Sequence, residues 1–592
     1  MQKLTSFFPM LLVILVLFLV LKPALSLPLP GVTYVDLQVI VTDFGKNLSF
    51  FHPPLKYYVY HYGTQFTSIL IVYKLFGFNP ASWFIIDVFL RIAAAVVIYL
   101  FTARWSKSKL AGVVAGIFFG VNLPGLQPTT RVAFFLVYGA VISLFIFLDR
   151  WLKFHYQPNG KNLKLSALFF TLAILTYPIR MVGTVPLVFM GEAYWLLKNY
   201  NNKPILKLQI KHILKLITIT LLFVFVTGTL SSTPELSFKR ISPTILLTSL
   251  LTGHPPVITA LWLFISNLII SPVSSIVSNT GAAILKPLTL IPLFLSILFF
   301  LSCIFRKKFL LAFASLTVIT FIPFVAASSQ NLEGWDNNLN LITQIGGSIF
   351  ILSNLFLIYM RNKNENLAEI GILGSAIVLT FILFPWLISP QLSNNDQSAF
   401  NFIHRYYTIP SAGMAILFGS VVAISWDSLK NNLRILLKLK INVGFFRLIK
   451  GLILLPVLLC LPALIMYFTY WHMISTNNLL TTIGTGADAT KIELFWNKFE
   501  PLLNDIKEPP DTNYIYINNI SDVDDKYIKE MVADRITISR KMADNPPKIS
   551  LIFSQPGFLE ILKKKTSNDS IYAFQFDGKE VIDIKEKLLN TK

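Results

Sequence analysis

Cysteine is almost missing from this chain: only Cys303 and Cys460 occur in 592 residues, both inside apolar runs. That leaves no material for a disulfide framework or a cysteine-based zinc site. Charge is sparse as well, 14% of residues against 54% hydrophobic, with a mean hydropathy of +0.63. Such a balance excludes an ordinary soluble fold. Acids are the scarcer sign, 30 against 51 basic residues, and the formal net charge is +21. Up to residue 472 there are 35 Lys and Arg against 12 Asp and Glu, whereas residues 473–592 carry 16 against 18. The excess therefore belongs to the apolar part, where basic residues gather in alternate loops. Membrane topology explains that pattern better than a polyanionic partner, and no phosphate-reading element argues for nucleic acid. No internal repeat is visible.

What the chain has in abundance is apolar runs about 20 residues long, the length a bilayer core requires, recurring between residues 7 and 472. They predict an all-α polytopic membrane protein of about thirteen helices, near 7–27, 81–103, 109–122, 131–149, 164–178, 182–197, 208–230, 281–304, 309–327, 341–360, 366–388, 405–424 and 451–472. Inner loops then hold Arg104/Lys107/Lys109, Arg150/Lys153/Lys161/Lys164, Lys198/Lys203/Lys207/Lys211, Arg306/Lys307/Lys308, Arg361/Lys363 and Lys430 to Lys450. By the positive-inside rule the N-terminus is cytoplasmic and the C-terminus lies on the outer face. Segments 56–77 and 241–278 are expected to lie against the outer interface, the second because Pro243, Pro255, Pro256 and Pro272 interrupt it. Reading 256–278 as one more span would invert every later loop. The first run also has the pattern of a signal peptide, with Lys3 before it and Ala24 and Ser26 at its end.

From about residue 473 the composition changes. Runs 514–520, 549–553 and 571–576 read as strands, and 523–532 and 556–565 as helices. The domains expected are thus a transmembrane unit over 1–472, with an outer loop at 28–63, and a small soluble α/β domain over 473–592. The tail contains neither a glycine-rich phosphate loop nor a nucleophile elbow. Asp522, Asp524 and Asp525 lack the glycine and distal glutamate of a calcium loop and read as a solvated helix start.

The candidate chemistry lies in the loop after the first helix, which carries Asp36 and Asp43 and then His52-Pro53-Pro54-Leu55-Lys56-Tyr57-Tyr58. A carboxylate at the membrane surface can take a proton from an acceptor hydroxyl as it attacks a sugar carbon whose phosphate leaves. Loop solvation accounts for a single Asp equally well. Arg405 begins a late helix beside Tyr406, where a planar guanidinium can grip a lipid phosphate; interfacial anchoring is the alternative. Arg131 and Arg180 are expected at the same surface. His52 can orient the loop or contact a phosphate, and the prolines beside it also fit a plain turn. Arg91, inside a predicted span, must face the bundle interior, with Asp87 one turn away as the economical partner. No dedicated cluster of His and carboxylates is visible in the spacing.

The acidic loop, the His52 to Tyr58 string, Tyr73-Lys74-Leu75-Phe76-Gly77-Phe78-Asn79-Pro80, the helix bearing Arg91, and His404-Arg405-Tyr406-Tyr407-Thr408-Ile409-Pro410-Ser411-Ala412-Gly413 together resemble the GT-C superfamily of membrane glycosyltransferases. The likeness is to its protein O-mannosyltransferase-like, polyprenyl-phosphate-sugar-dependent branch. The resemblance implies a GT-C-like helical domain and sugar transfer from a polyprenyl-phosphate donor to a protein, glycan or lipid acceptor on the outer face of the membrane; the low cysteine content and the abundance of Lys, Asn and Ile fit a bacterial plasma membrane. It implies Asp36 as catalytic base with Asp43 as runner-up, and His52, Arg405, Tyr406, Arg180 and Arg131 as substrate-binding residues. It leaves a divalent cation open as cofactor. Two departures stand out: relatives pair their loop acids, whereas six residues separate Asp36 from Asp43, and Tyr177-Pro178-Ile179-Arg180-Met181 stands where a lysine–glutamate pair is common. A non-catalytic member, or a transporter of lipid-linked glycans, are the competing functions. A polymerase or ligase would need a larger loop than 389–404.

Overall fold

The computed structural model describes residues 2–27, 63–77, 79–130, 134–177, 181–230, 262–270, 281–316, 319, 337–388, 405–438 and 445–485 of the helical part. In the tail it describes 494–495, 498–499, 501–502, 512–519, 548–552, 554–564, 570–577 and 579–590. Each predicted span is helical over most of its described part. The helices are α1 (Gln2–Leu21), α2 (Gly63–Phe76), α3 (Pro80–Ser106), α4 (Lys109–Val121), α5 (Leu136–Tyr156), α6 (Gly160–Thr176), α7 (Thr184–Asn199) and α8 (Lys203–Leu230). They continue as α9 (262–270), α10 (Gly281–Phe305), α11 (309–316), α12 (Asn337–Met360), α13 (Glu365–Ile388), α14 (Thr408–Lys438) and α15 (Phe445–Thr485). Among the described residues five helical stretches are long and apolar enough to cross a bilayer: Phe7–Ser26, Pro80–Ser106, Glu365–Ile382, Thr408–Asn431 and Ile453–Ile483. The chain is an integral membrane protein.

Local chemistry fixes where these helices begin. Pro80 opens α3 after an extended Asn79, and the chain turns at Lys107, which adopts φ 57°. Ser108 then caps α4 by accepting the Ala111 N–H. Asn159 does the same for α6, its Oδ1 accepting the Asn162 N–H at 2.8 Å.

Lipid supplies no hydrophobic drive between helices, so close approach through small residues matters most. Gly112, Gly116 and Gly120 form one stripe of α4. A Cβ on Gly112 would stand 2.7 Å from the Tyr99 carbonyl of α3, and one on Gly120 would strike Leu17 of α1. On α13 and α14, Gly374 and Gly413 face each other so tightly that a Cβ on either would lie 2.5 Å from the other's carbonyl oxygen. α14, buried throughout its apolar stretch, is the central post, with α4, α13 and α15 packed around it.

Two elements go beyond what the sequence specified. The described part of 241–278, helix α9, has Leu263 to Ile270 all buried among other helices. Ser266 packs on Gly346, and Trp262 on Gly347, both in α12. α15 runs on past residue 472, because Thr476 donates to the Val121 carbonyl and Asn477 to the Val20 carbonyl, which tie its polar turns to α4 and α1.

In the tail, β1 (Thr512–Asn519), β2 (Lys548–Ile552), β3 (Ser570–Phe576) and β4 (Val581–Asp583) form one sheet in the order β2-β1-β3-β4. The first three pair in parallel, Tyr514 opposite Ser550 and Ile571, and β4 is antiparallel. Helix α16 (Gln555–Lys564) connects β2 to β3. Both faces are covered, as a parallel sheet demands. Tyr516, Ile571 and Ala573 pack with Phe558 of α16. Ile515, Ile517, Phe574 and Phe576 share a cluster with Phe495, Phe499, Leu480 of α15 and Trp83 of α3.

Candidate active site

The candidate site is the end of the bundle away from the basic loops. α1 finishes there in a single 3₁₀ turn, Lys22–Ser26, with Pro23 at its start. Leu27, the last described residue before the loop that carries Asp36 and Asp43, is buried in one cluster with Trp83, Phe84, Leu123 and Leu126. Leu123 and Leu126 belong to the turn that follows α4.

That turn is the hub. Gly125 sits at φ +77°, where a side chain would be strained, and a Cβ there would lie 2.7 Å from the Thr408 backbone nitrogen. Thr408 Oγ1 donates to the Gly125 carbonyl at 3.2 Å. Thr408 directly follows the 3₁₀ turn Arg405–Tyr407. The turn bearing Arg405 is thus latched to the short segment whose leucines share a cluster with Leu27.

Buried polar side chains fix the hub from below. Arg91 donates from Nε to the Gly120 carbonyl (3.0 Å), from Nη1 to Thr129 Oγ1 (3.1 Å) and from Nη2 to the Asn122 carbonyl (2.8 Å). Thr129 also bonds the Tyr138 hydroxyl at 2.7 Å, and the Arg91 guanidinium lies over the Tyr138 ring. The interior position expected for Arg91 is observed. Its expected partner is corrected: all three nitrogens bond elsewhere, and neither oxygen of Asp87 reaches a partner at hydrogen-bonding geometry, although Arg91 and Thr129 stand beside it. One helical turn brings the two residues onto one face, but carbonyls freed at the end of α4 compete better for the guanidinium. Arg91 is therefore spent on backbone and is not a phosphate ligand.

His472 plays a similar part. Its Nδ1 accepts the Leu123 N–H at 3.2 Å while Nε2 donates to the Ile269 carbonyl at 3.1 Å, so a neutral ring bridges the hub to α9. Asn267 of α9 donates to the Tyr407 hydroxyl at 3.3 Å, and the Tyr407 ring stacks on Phe264 at 4.6 Å. Ser411 donates back to the Thr408 carbonyl at 2.7 Å, tightening the first turn of α14.

Of the residues expected from sequence, Tyr406 is partly buried in the 3₁₀ turn, and the backbone of Arg405 opens that turn. Asp36, Asp43, His52, Arg131 and Arg180, and the side chain of Arg405, lie outside the described residues. Tyr407 stands beside Arg405 in the motif, but sequence reasoning gave no role to Thr408, Asn267 or His472. Thr408 was inside the quoted motif; the other two signalled only as isolated polar residues in apolar runs.

No family model matches the sequence, and no curated protein does. Solved structures do resemble the fold. The archaeal oligosaccharyltransferase AglB from Archaeoglobus fulgidus, in complex with an inhibitory peptide and a dolichol-phosphate, aligns at 13% identity and a TM-score of 0.43 over 90% of this chain and 64% of that one. ArnT from Cupriavidus metallidurans bound to undecaprenyl phosphate aligns at 13% identity and a TM-score of 0.35, over 98% of both chains. The chain spans less than two thirds of AglB, and at these scores neither likeness carries an argument about its chemistry.

Proposed function

We propose that this protein transfers a sugar, in the manner of a hexosyltransferase, from a polyprenyl-phosphate-linked donor to an acceptor on the outer face of a bacterial plasma membrane. The N-terminus is then cytoplasmic, and the C-terminal α/β domain stands outside beside the site. The acceptor is a protein, glycan or lipid, and the branch that the motifs resemble is mannosyltransferase-like.

The observation that carries this reading is the latch between Gly125 and Thr408, with Leu123, Leu126 and Leu27 in one core. It ties the start of the motif-bearing segment 405–413 to a short turn whose leucines share a core with Leu27, the residue before 28–62. In the proposed reaction Asp36 takes the proton of the acceptor hydroxyl as its oxygen forms a bond to the anomeric carbon. The bond from that carbon to the phosphate oxygen breaks, and polyprenyl phosphate departs. Arg405, with Tyr406 beside it, holds the phosphate and its growing charge, assisted by His52, Arg180 and Arg131. Asp43 is the second candidate for the base.

The test is loss of radiolabelled sugar from a panel of polyprenyl-phosphate donors, with and without a divalent cation, using the purified protein in lipid and a cell-envelope extract as acceptor. Asp36→Asn should lower turnover about 10²–10⁴-fold with the fold intact. If Asp43→Asn alone does this, the base is Asp43. Donor binding without turnover, weakened by Arg405→Ala, would favour a carrier-binding or transport role.

A further inference from the structure

A second buried polar cluster lies at the opposite, basic end of the bundle. His155 is in the last turn of α5, Glu192 is in the second half of α7, and His212 is in the third turn of α8. All three are buried, with 5%, 1% and 0% of their surface exposed. Glu192 Oε1 lies 3.0 Å from His155 Nε2 and 2.8 Å from His212 Nδ1, and it accepts the Trp151 indole N–H at 2.8 Å.

Hydrogen bonding alone accounts poorly for this arrangement. Three groups crowd one carboxylate oxygen while the other, Oε2, is buried with no partner. His155 Nδ1 and both side-chain polar atoms of Gln209, one turn before His212, are equally buried and unpartnered. In an acid-poor, apolar bundle each such group carries a desolvation cost of about 1–3 kcal/mol.

We propose that His155, Glu192 and His212 bind a divalent metal ion of the zinc class. Two imidazole nitrogens and one carboxylate oxygen, with no thiolate, suit a borderline ion such as Zn²⁺ rather than a hard or a soft one. Their ligand atoms lie within 4.8 Å of one another. Ligands of one tetrahedral zinc are about 3.4 Å apart, so small side-chain adjustments would close the set.

The surroundings fit the same purpose. His212 Nε2 meets Ser166 Oγ at 3.0 Å; donating there, it leaves the Nδ1 lone pair for the ion. The Trp151 indole N–H orients the carboxylate. The His155 ring stacks on Trp195 at 4.9 Å, and Phe154 lies against His212 at 4.4 Å, walling the site from water. A Cβ on Gly191 would strike the Trp151 ring at 2.5 Å, so glycine there lets Trp151 reach Glu192. A bound ion would cross-link α5, α7 and α8 about 25 Å along α5 from Tyr138. It stands apart from the proposed transfer site and does not depend on that reading.

The spacing in the sequence gave no hint of this cluster, because its members are 37 and 20 residues apart. The experiment is zinc content of the tag-free, full-length protein after loading with Zn²⁺ and desalting, with X-ray absorption at the zinc edge. The expected result is about one zinc per chain, with imidazole nitrogens in its first shell. His155→Gln, His212→Gln and Glu192→Gln should each lower retained zinc at least tenfold. Ser166→Ala, which keeps every ligand, should weaken affinity about 10–100-fold. A wild type that retains under about a tenth of an equivalent overturns the proposal, as does a zinc shell without imidazole or retention unchanged in folded ligand variants. Should the ligand variants fail to fold, the wild-type absorption spectrum and Ser166→Ala still decide.

Discussion

The two ends of the bundle use buried polar residues in opposite ways. At the hub, Arg91 bonds carbonyls at the end of α4 and in the turn after it and the Thr129 hydroxyl, and His472 bonds backbone groups of that turn and of α9. At the basic end, Glu192, His155 and Gln209 keep buried atoms without partners. A buried polar group whose bonds are all made is architecture; one with lone pairs to spare, held in a rigid pocket, is prepared for a ligand. Asp87 and Asn122 are exceptions at the hub: both oxygens of the Asp87 carboxylate, beside an arginine committed elsewhere, and the Asn122 Oδ1 are buried and unbonded.

This contrast can be broken by substitution. Arg91→Ala should have the largest effect, about 3–5 kcal/mol, because it leaves two carbonyls and Asp87 buried with no cation nearby. The check is thermal unfolding in detergent, and an undisturbed melt would mean the guanidinium is not the clasp described. His472→Ala should cost about 2–3 kcal/mol for two lost bonds, and should loosen the Leu123 amide in hydrogen exchange. Gly413→Ala should cost about 1–3 kcal/mol by overpacking α14 on α13. Full stability there would show that the two helices can move apart freely.

The mildest expectation concerns the exposed tail. Asp577 accepts the backbone N–H groups of Glu580 and Lys579, each at 2.8 Å, and these hold its carboxyl below the usual carboxylate range. A lowered value means the turn is favoured at neutral pH and loses that contribution as pH falls through the folded-state value. Asp577→Ala should lower the melting temperature slightly at pH 7, with the difference closing in strong acid. A difference that persists there would point to some cause other than the charge.

Much of the fold was legible because lipid imposes simple rules. Backbone groups must be satisfied within each span, so apolar runs predicted helices at the right places, and period-two runs predicted β1, β2 and β3. The ends of elements were less legible. α15 outlasts its apolar run because Thr476 and Asn477 find carbonyls on neighbouring helices, and α9 is buried among other helices despite the prolines around it. At the candidate site, the sequence singled out Arg405 and Tyr406 through a motif. That Thr408 and Gly125 latch 283 residues apart could not be read from either segment alone.

The sequence by itself determined the membrane character, the helix positions, the basic and acid-poor loops and the α/β tail, since each depends on local composition and period. Only tertiary structure decided that Arg91 serves two carbonyls and Thr129 rather than Asp87, that the turn after α4 latches to Thr408, and that two histidines and a glutamate meet at the basic end. Those outcomes depend on which buried donors and acceptors find one another across helices, and separation along the chain carries no information about that.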